Sequence, residues 1–194
     1  MWYSGRMDAA RDPDIDLLLR VKARDPEGLA ALYARFARPL FRFLLTLTGR
    51  RETAEDALQE TFLRVWRAGP TYEPSAAAST WLFTVARNAA LNVLARERGR
   101  PVTWDDLERE GAGPETVAAG DAPGAALEAA EQADALRRAV GRLPPGERAV
   151  VALAVDARLR YAEIARALGI PEGTVKSRMA ASIRKLREMM TRGA

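Results

Sequence analysis

From Ile15 to Arg100 the apolar residues recur at three- and four-residue steps, the spacing of a helix face rather than of a strand. Leu17, Leu18 and Val21 begin the first such face. Asp25-Pro26-Glu27 reads as a helix start, with Asp as the cap and Pro at the first helical position. Behind it Leu29, Leu32, Tyr33, Phe36, Leu40, Phe43, Leu44 and Leu47 form a stripe that predicts one long amphipathic helix ending at Gly49. Thr53 is expected to cap a further helix, with Asp56 as an approximate capping box and Leu58, Phe62, Val65 and Trp66 as the apolar face. Ala68 to Ala78 breaks the pattern. It resumes at Ser79 or Thr80 through Trp81, Leu82, Val85, Ala86, Ala89 and Val93, to about Arg98.

Between Gly99 and Ala125 no apolar period is sustained. Gly and Pro recur there among Asp105, Asp106, Glu108, Glu110, Glu115 and Asp121, so the stretch reads as an acidic linker with one short helix at Trp104 to Glu110. Leu127 to Leu143 is helical again, with Leu127, Leu136, Val140 and Leu143 as its core face. Pro144-Pro145-Gly146 interrupts it, and a helix through Val150, Val151, Leu153 and Ala154 follows. Tyr161 to Met190 reads as two helices joined at Gly169, where glycine permits positive φ. Ile164, Leu168 and Ile170 pack the first of them. Val175, Met179, Ile183, Leu186 and Met190, at steps of four, four, three and four, are expected to turn one face of the second toward the core. The pattern predicts an all-α protein. It comprises a disordered lead-in over residues 1–13, a helical domain over 14–100, a flexible acidic linker over 101–126 and a second helical domain over 127–194.

Composition narrows the chemistry. The 194 residues hold no Cys and no His, which removes disulfides, thiol nucleophiles, imidazole bases and most transition-metal sites. No Gly-rich phosphate loop or convincing carboxylate pair is present, so no catalytic residue, metal or cofactor is expected and an enzyme is disfavoured. No apolar run approaches the ~18 to 20 residues of a membrane span, and the N-terminus is too polar for a secretory signal. A cytoplasmic protein without membrane insertion is the expectation. The formal net charge is only +4, so the placement of the basic residues matters more than their number.

They concentrate in the last motif. Thr174, Lys176, Ser177 and Arg178 share the outer face at the start of the second helix, with Arg184, Lys185, Arg187 and Arg192 beyond. A tight Gly turn followed by a helix with a polar, basic N-terminal turn is the pattern of a helix-turn-helix, whose second helix enters the DNA major groove. Short polar side chains there contact phosphates, and Arg or Lys reaches guanine O6 and N7.

The two halves together resemble a known family. Residues 15 to 100, through AEDALQETFLRVWRA and WLFTVARNAALNVLARERGR, resemble region 2 of bacterial sigma factors. Residues 127 to 190, through LPPGERAVVAL and GTVKSR, resemble region 4. Their order, spacing and acidic linker are similar to the small two-domain sigma factors of the extracytoplasmic-function (ECF) group of the sigma-70 family. The resemblance implies a transcription initiation factor that binds core RNA polymerase and directs it to promoters. Asp56, Gln59, Glu60 and Arg64 would dock on the β′ clamp helices, and the second domain would meet the β flap. Thr84, Arg87, Asn88, Asn92, Arg96 and Arg98 would capture the −10 element as a single strand, with the loop from Gly69 to Ala78 as pocket wall. Thr174, Lys176, Ser177 and Arg178 would read the −35 element as duplex. An anti-sigma factor would hold the protein inactive.

That assignment has a chemical rationale. Opening a promoter without ATP requires captured bases, each offsetting a few kcal/mol of unstacking. Asn88 and Asn92 lie one turn apart and can bond a base edge, while the arginines can hold phosphates. Trp81 and Phe83 either stack on bases or pack in the core. The chain departs from the family at Arg158-Leu159-Arg160-Tyr161, where Gly-Leu-Ser/Thr-Tyr is common, so two helix-end signals are lost. Ala180-Ala181 replace a bulky or basic pair, which points to weaker or altered −35 contacts. The alternative is a polymerase-independent helix-turn-helix regulator, which leaves the Asn88 region and the acidic tether without a role.

Overall fold

The computed structural model describes residues 12–69, 72, 77–110 and 135–192. The lead-in before residue 12, most of the loop after Gly69 and the linker from 111 to 134, with Leu127, lie outside the described residues. Among those described, the chain forms nine helices and no strand. They are α1 (Pro13–Lys22), α2 (Pro26–Thr48), α3 (Arg51–Ala68), α4 (Ala78–Arg98), α5 (Trp104–Glu110), α6 (135–141), α7 (Pro145–Val155), α8 (Tyr161–Leu168) and α9 (Glu172–Arg192). No helix among the described residues is long and apolar enough to cross a membrane.

The local end signals explain most boundaries. Asp25 accepts the Glu27 amide at 2.9 Å, capping α2, and Gly49 ends that helix with φ 72°. Thr53 does not cap α3. The helix begins at Arg51 with Arg50 at the cap position and no side-chain cap, because Thr53 is buried inside the first turn. Its hydroxyl donates to Glu97 Oε1 at 2.9 Å instead, tying the start of α3 to the end of α4.

α2 is the axis of the first bundle. Leu32, Leu40, Phe43, Leu44 and Leu47 are buried along it. Phe43 meets Phe83 of α4 edge-on, with ring centroids 5.4 Å apart, so Phe83 is core. Trp81 is half-buried and meets the ring of Tyr72 edge-on at 5.1 Å. In the second bundle Val150, Leu153, Ile164, Leu168 and Val175 join α7, α8 and α9.

Three apolar assignments differ from expectation, the first being Tyr33 of the α2 stripe, which is 51% exposed. Ile183 and Leu136 are exposed, and Ser182 is fully buried in the place expected of Ile183. Ser182 Oγ donates to the Arg178 carbonyl at 2.8 Å, which satisfies it without a partner on another helix.

The bundles also meet each other. α7 packs on α2, and α8 packs on α4. Most of the buried apolar residues therefore form one contiguous cluster, from Ile15 in α1 to Val175 in α9.

Candidate nucleic-acid interface

Helical geometry puts Thr84, Asn88, Asn92 and Arg96 at successive turns of α4. Thr84 is half-buried and donates to the Thr80 carbonyl at 2.8 Å, so its hydroxyl is engaged with its own helix. Asn88, Asn92, Arg96 and Arg98 are exposed. Arg87 is held sideways. Its Nε and Nη2 donate to Asn88 Oδ1 at 3.3 and 3.0 Å, and burial lowers its pKa from the ordinary guanidinium value. Lys22 of α1 donates its ammonium to the carbonyl of Tyr72, between α3 and α4, at 2.8 Å.

The second set lies on the first two turns of α9. Gly169 has φ 67° and turns the chain between α8 and α9. Lys176 is exposed and pairs with Glu172 at 2.8 Å, an i,i+4 pair of the weak surface kind. Ser177 Oγ donates to the Thr174 carbonyl at 3.0 Å. Thr174 and Arg178 are half-buried. Of the four expected contacts, Lys176 and Ser177 are thus the outward ones, beside the exposed Glu172 and Gly173, and Ala180 next to them is exposed and short.

The two arginines that replace expected end signals are accommodated differently. Arg158 takes the left-handed conformation itself, with φ 55°. Arg160 occupies the cap position of α8. Because an arginine has no acceptor, only half a capping box forms there: Glu163 Oε2 accepts the Arg160 amide at 2.7 Å. Glu163 Oε1 takes the Arg160 guanidinium at 3.0 Å.

The third set lies on α3. Asp56 and Gln59 are exposed, while Glu60 and Arg64 are less so and pair with each other at 2.7 Å. That hydrogen bond holds the Glu60 carboxyl below its usual pKa. Asp56 and Gln59 share a groove of about 820 Å³ with Leu29, Tyr33, Phe41, Leu58 and Leu63. The expected polar face and the edge of the apolar stripe therefore border one concavity. Tyr33, expected in the apolar stripe of α2, is exposed here, and so is Leu63, which the pattern did not single out. Leu63 carried a signal all the same, as an apolar residue on an otherwise polar face of α3.

The α4 row and the helix-turn-helix adjoin. The Arg87 guanidinium lies so close to Gly169 that a methyl group added there would overlap it. The α3 set reaches the same row from its other end: Asp56, Gln59 and Glu60 line a groove of about 350 Å³ together with Arg96 of α4.

Comparison with known proteins accounts for both halves. Residues 32–100 match the family described as Sigma-70 region 2, and residues 133–186 match Sigma-70, region 4. The ECF RNA polymerase sigma factor SigL of Mycobacterium tuberculosis is 39% identical over 163 residues, covering 82% of this chain and 86% of that protein. Among solved structures, CnrH in complex with the cytosolic domain of CnrY superposes with a TM-score of 0.63 at 20% identity, covering 96% of this chain and all (100%) of that one. The sigma factor RpoE in complex with the anti-sigma factor NepR, from Bartonella quintana, gives 0.61 at 22% identity, covering 82% and 94%. Likeness at this identity speaks to the fold.

Proposed function

Because the chain belongs to the ECF group of the sigma-70 family, whose members are promoter-specific initiation factors of RNA polymerase, we propose that it reads its promoter at two points. One point is a −35 duplex met by the helix-turn-helix. The other is a −10 single strand captured on α4. The observation that carries this reading is the pair of exposed amides, Asn88 and Asn92, one turn apart on the helix that ends in Arg96 and Arg98. An amide offers both a donor and an acceptor to a base edge, and the arginines supply the backbone charge. On α9, Lys176 and Ser177 supply phosphate contacts, and Arg178 swings from its half-buried position to a base edge.

The α3 groove is the polymerase-docking surface, with Asp56, Gln59, Glu60 and Arg64 at its polar side. Tyr33 and Leu63 provide the apolar centre, and the charged margin sets specificity and on-rate more than affinity. The second bundle engages the β flap. An anti-sigma factor is the expected regulator, since RpoE of Bartonella quintana has been solved with one. The protein works in the cytoplasm, where its polymerase is.

Gel filtration with core RNA polymerase tests the docking step. Co-elution is expected, and its failure while the protein alone protects duplex DNA would favour an independent regulator. Asn88→Ala tests the strand-capture step. It should impair promoter opening, read by permanganate reactivity of the −10 thymines, and leave binding to a −35 duplex unchanged. Equal loss of both would make Asn88 structural.

A further inference from the structure

Among the described residues two that are not glycine take the left-handed conformation, and both are arginines: Arg24 with φ 62° and Arg158 with φ 55°. An L side chain crowds its own backbone there, and Asn and Asp tolerate the region best. The first case is explained within the molecule. Arg24 Nη1 donates to the Trp66 carbonyl at 2.9 Å, and its guanidinium lies over the Trp66 ring, 5.3 Å from the centroid. The second is explained only in its backbone. With Arg158 left-handed the chain leaving α7 folds back, so that the Leu159 amide donates to the Leu153 carbonyl at 3.0 Å and the Leu159 side chain is buried. Glycine makes such a turn at no steric cost. The guanidinium of Arg158 adds nothing to it. It is exposed and engages no described residue in a hydrogen bond, ion pair or ring contact. The carboxylates nearest in sequence are already occupied, Asp156 by Arg42 and Glu163 by Arg160, each at 3.0 Å.

An uncompensated cation on a strained backbone points to a use outside the chain. Its place decides the ligand. Arg158 stands two residues before Arg160, the cap position of α8. α8 is the first helix of the helix-turn-helix, and the first helix of such a pair crosses the DNA backbone while the second enters the groove. We propose that Arg158 holds a phosphate of the −35 duplex, from the turn between α7 and α8. The proposal rests on the helix-turn-helix reading given above and adds a contact from outside its second helix. It also says where anchoring charge sits in this chain. At the start of α9, Lys176 shares its charge with Glu172 and Ala180 is short. The guanidinium of Arg158 is not shared, and its planar fork matches two phosphate oxygens at once. Such a contact reads no base. It fixes register and contributes affinity that salt weakens.

The test uses the holoenzyme formed with core RNA polymerase, and a −35 sequence that the parent holoenzyme selects from randomised duplexes. Two promoter fragments are compared, one carrying that sequence and one ending just downstream of it. Arg158→Gly removes the charge and relieves the backbone, whereas Arg158→Lys keeps the charge. R158G should bind the full fragment about eightfold more weakly at 0.1 M salt, the counterion release of one phosphate contact. Its plot of log affinity against log salt should be shallower by about 0.9. R158K should keep most of the parent's affinity and its salt slope. The truncated fragment should bind all three proteins alike. Because glycine suits the left-handed backbone, unfolding does not explain a loss in R158G. R158G that equals the parent on the full fragment overturns the contact. So does R158G that is weaker on both fragments alike, or weaker with an unchanged salt slope, or R158K that binds no better than R158G. A parent holoenzyme that selects no −35 sequence, or binds the two fragments equally, rejects the helix-turn-helix reading itself.

Discussion

Arg158 holds the left-handed backbone that a glycine would take at no steric cost. Arg158→Gly should therefore raise the unfolding free energy, by about 0.5–1 kcal/mol once the added entropy of the unfolded glycine is subtracted; urea denaturation reads it. Glu163 carries the end of α8 that Arg160 cannot cap. It is 5% exposed and accepts both the amide and the guanidinium of Arg160. Glu163→Ala should cost about 1–2 kcal/mol in the same assay. Asp25 adds a pH dependence. A hydrogen bond from Arg20, aided by the Glu27 and Gly28 amides, lowers its pKa. A lowered folded-state value means stability present above the unfolded value and lost as pH falls through the folded one, that is, below about pH 4. The fall in Tm on acidification should be shallower for Asp25→Asn than for the parent chain. At this scale the sequence exposed the problem but not the remedy. It displayed arginines where end signals were expected, yet a φ angle and a reach-back carboxylate become visible only with the backbone traced.

At the scale of the element, periodicity located the helices well and their azimuths less well. α9 illustrates the limit. At roughly 100° per residue, Ser182 falls within about 20° of Val175 on the helical wheel and Ile183 about 80° away. Hydrophobicity alone selects the isoleucine; the neighbouring helix α7 selects the serine, which is small and bonds back to Arg178. Ile183→Gln should leave stability within about 0.5 kcal/mol, whereas Leu168→Ala, in the fully buried seat of α8, should cost about 2–5 kcal/mol. A large cost at Ile183 would restore the periodicity reading. α3 makes the same point from its start. Thr53 has the chemistry of a cap, but it was claimed by Glu97, 44 residues away.

At the scale of the whole molecule, the two bundles share a core, an arrangement that the periodicity of the helices left open. The four tryptophans, Trp2, Trp66, Trp81 and Trp104, all precede the second bundle, so their fluorescence reports the first half of the chain. Far-UV circular dichroism reports every helix. A shared core predicts that urea transitions by the two probes coincide at low salt, as in cooperative two-state unfolding. Transitions that separate there would show bundles that unfold independently.

The amino-acid sequence by itself determined the all-α class, most helix limits, the helix-turn-helix and the family, because each of these follows from local chemistry: caps, a 3.6-residue period, a glycine at a turn, a basic helix start. It also marked the exposed amides of α4. Tertiary structure alone decided which apolar face meets which. Arg42 finds Asp156 114 residues on, and Arg148 reaches a carbonyl 102 residues back. Periodicity states that a face must be covered; it does not state by what. That α8 of the helix-turn-helix packs on α4 of the same chain is a fact of packing.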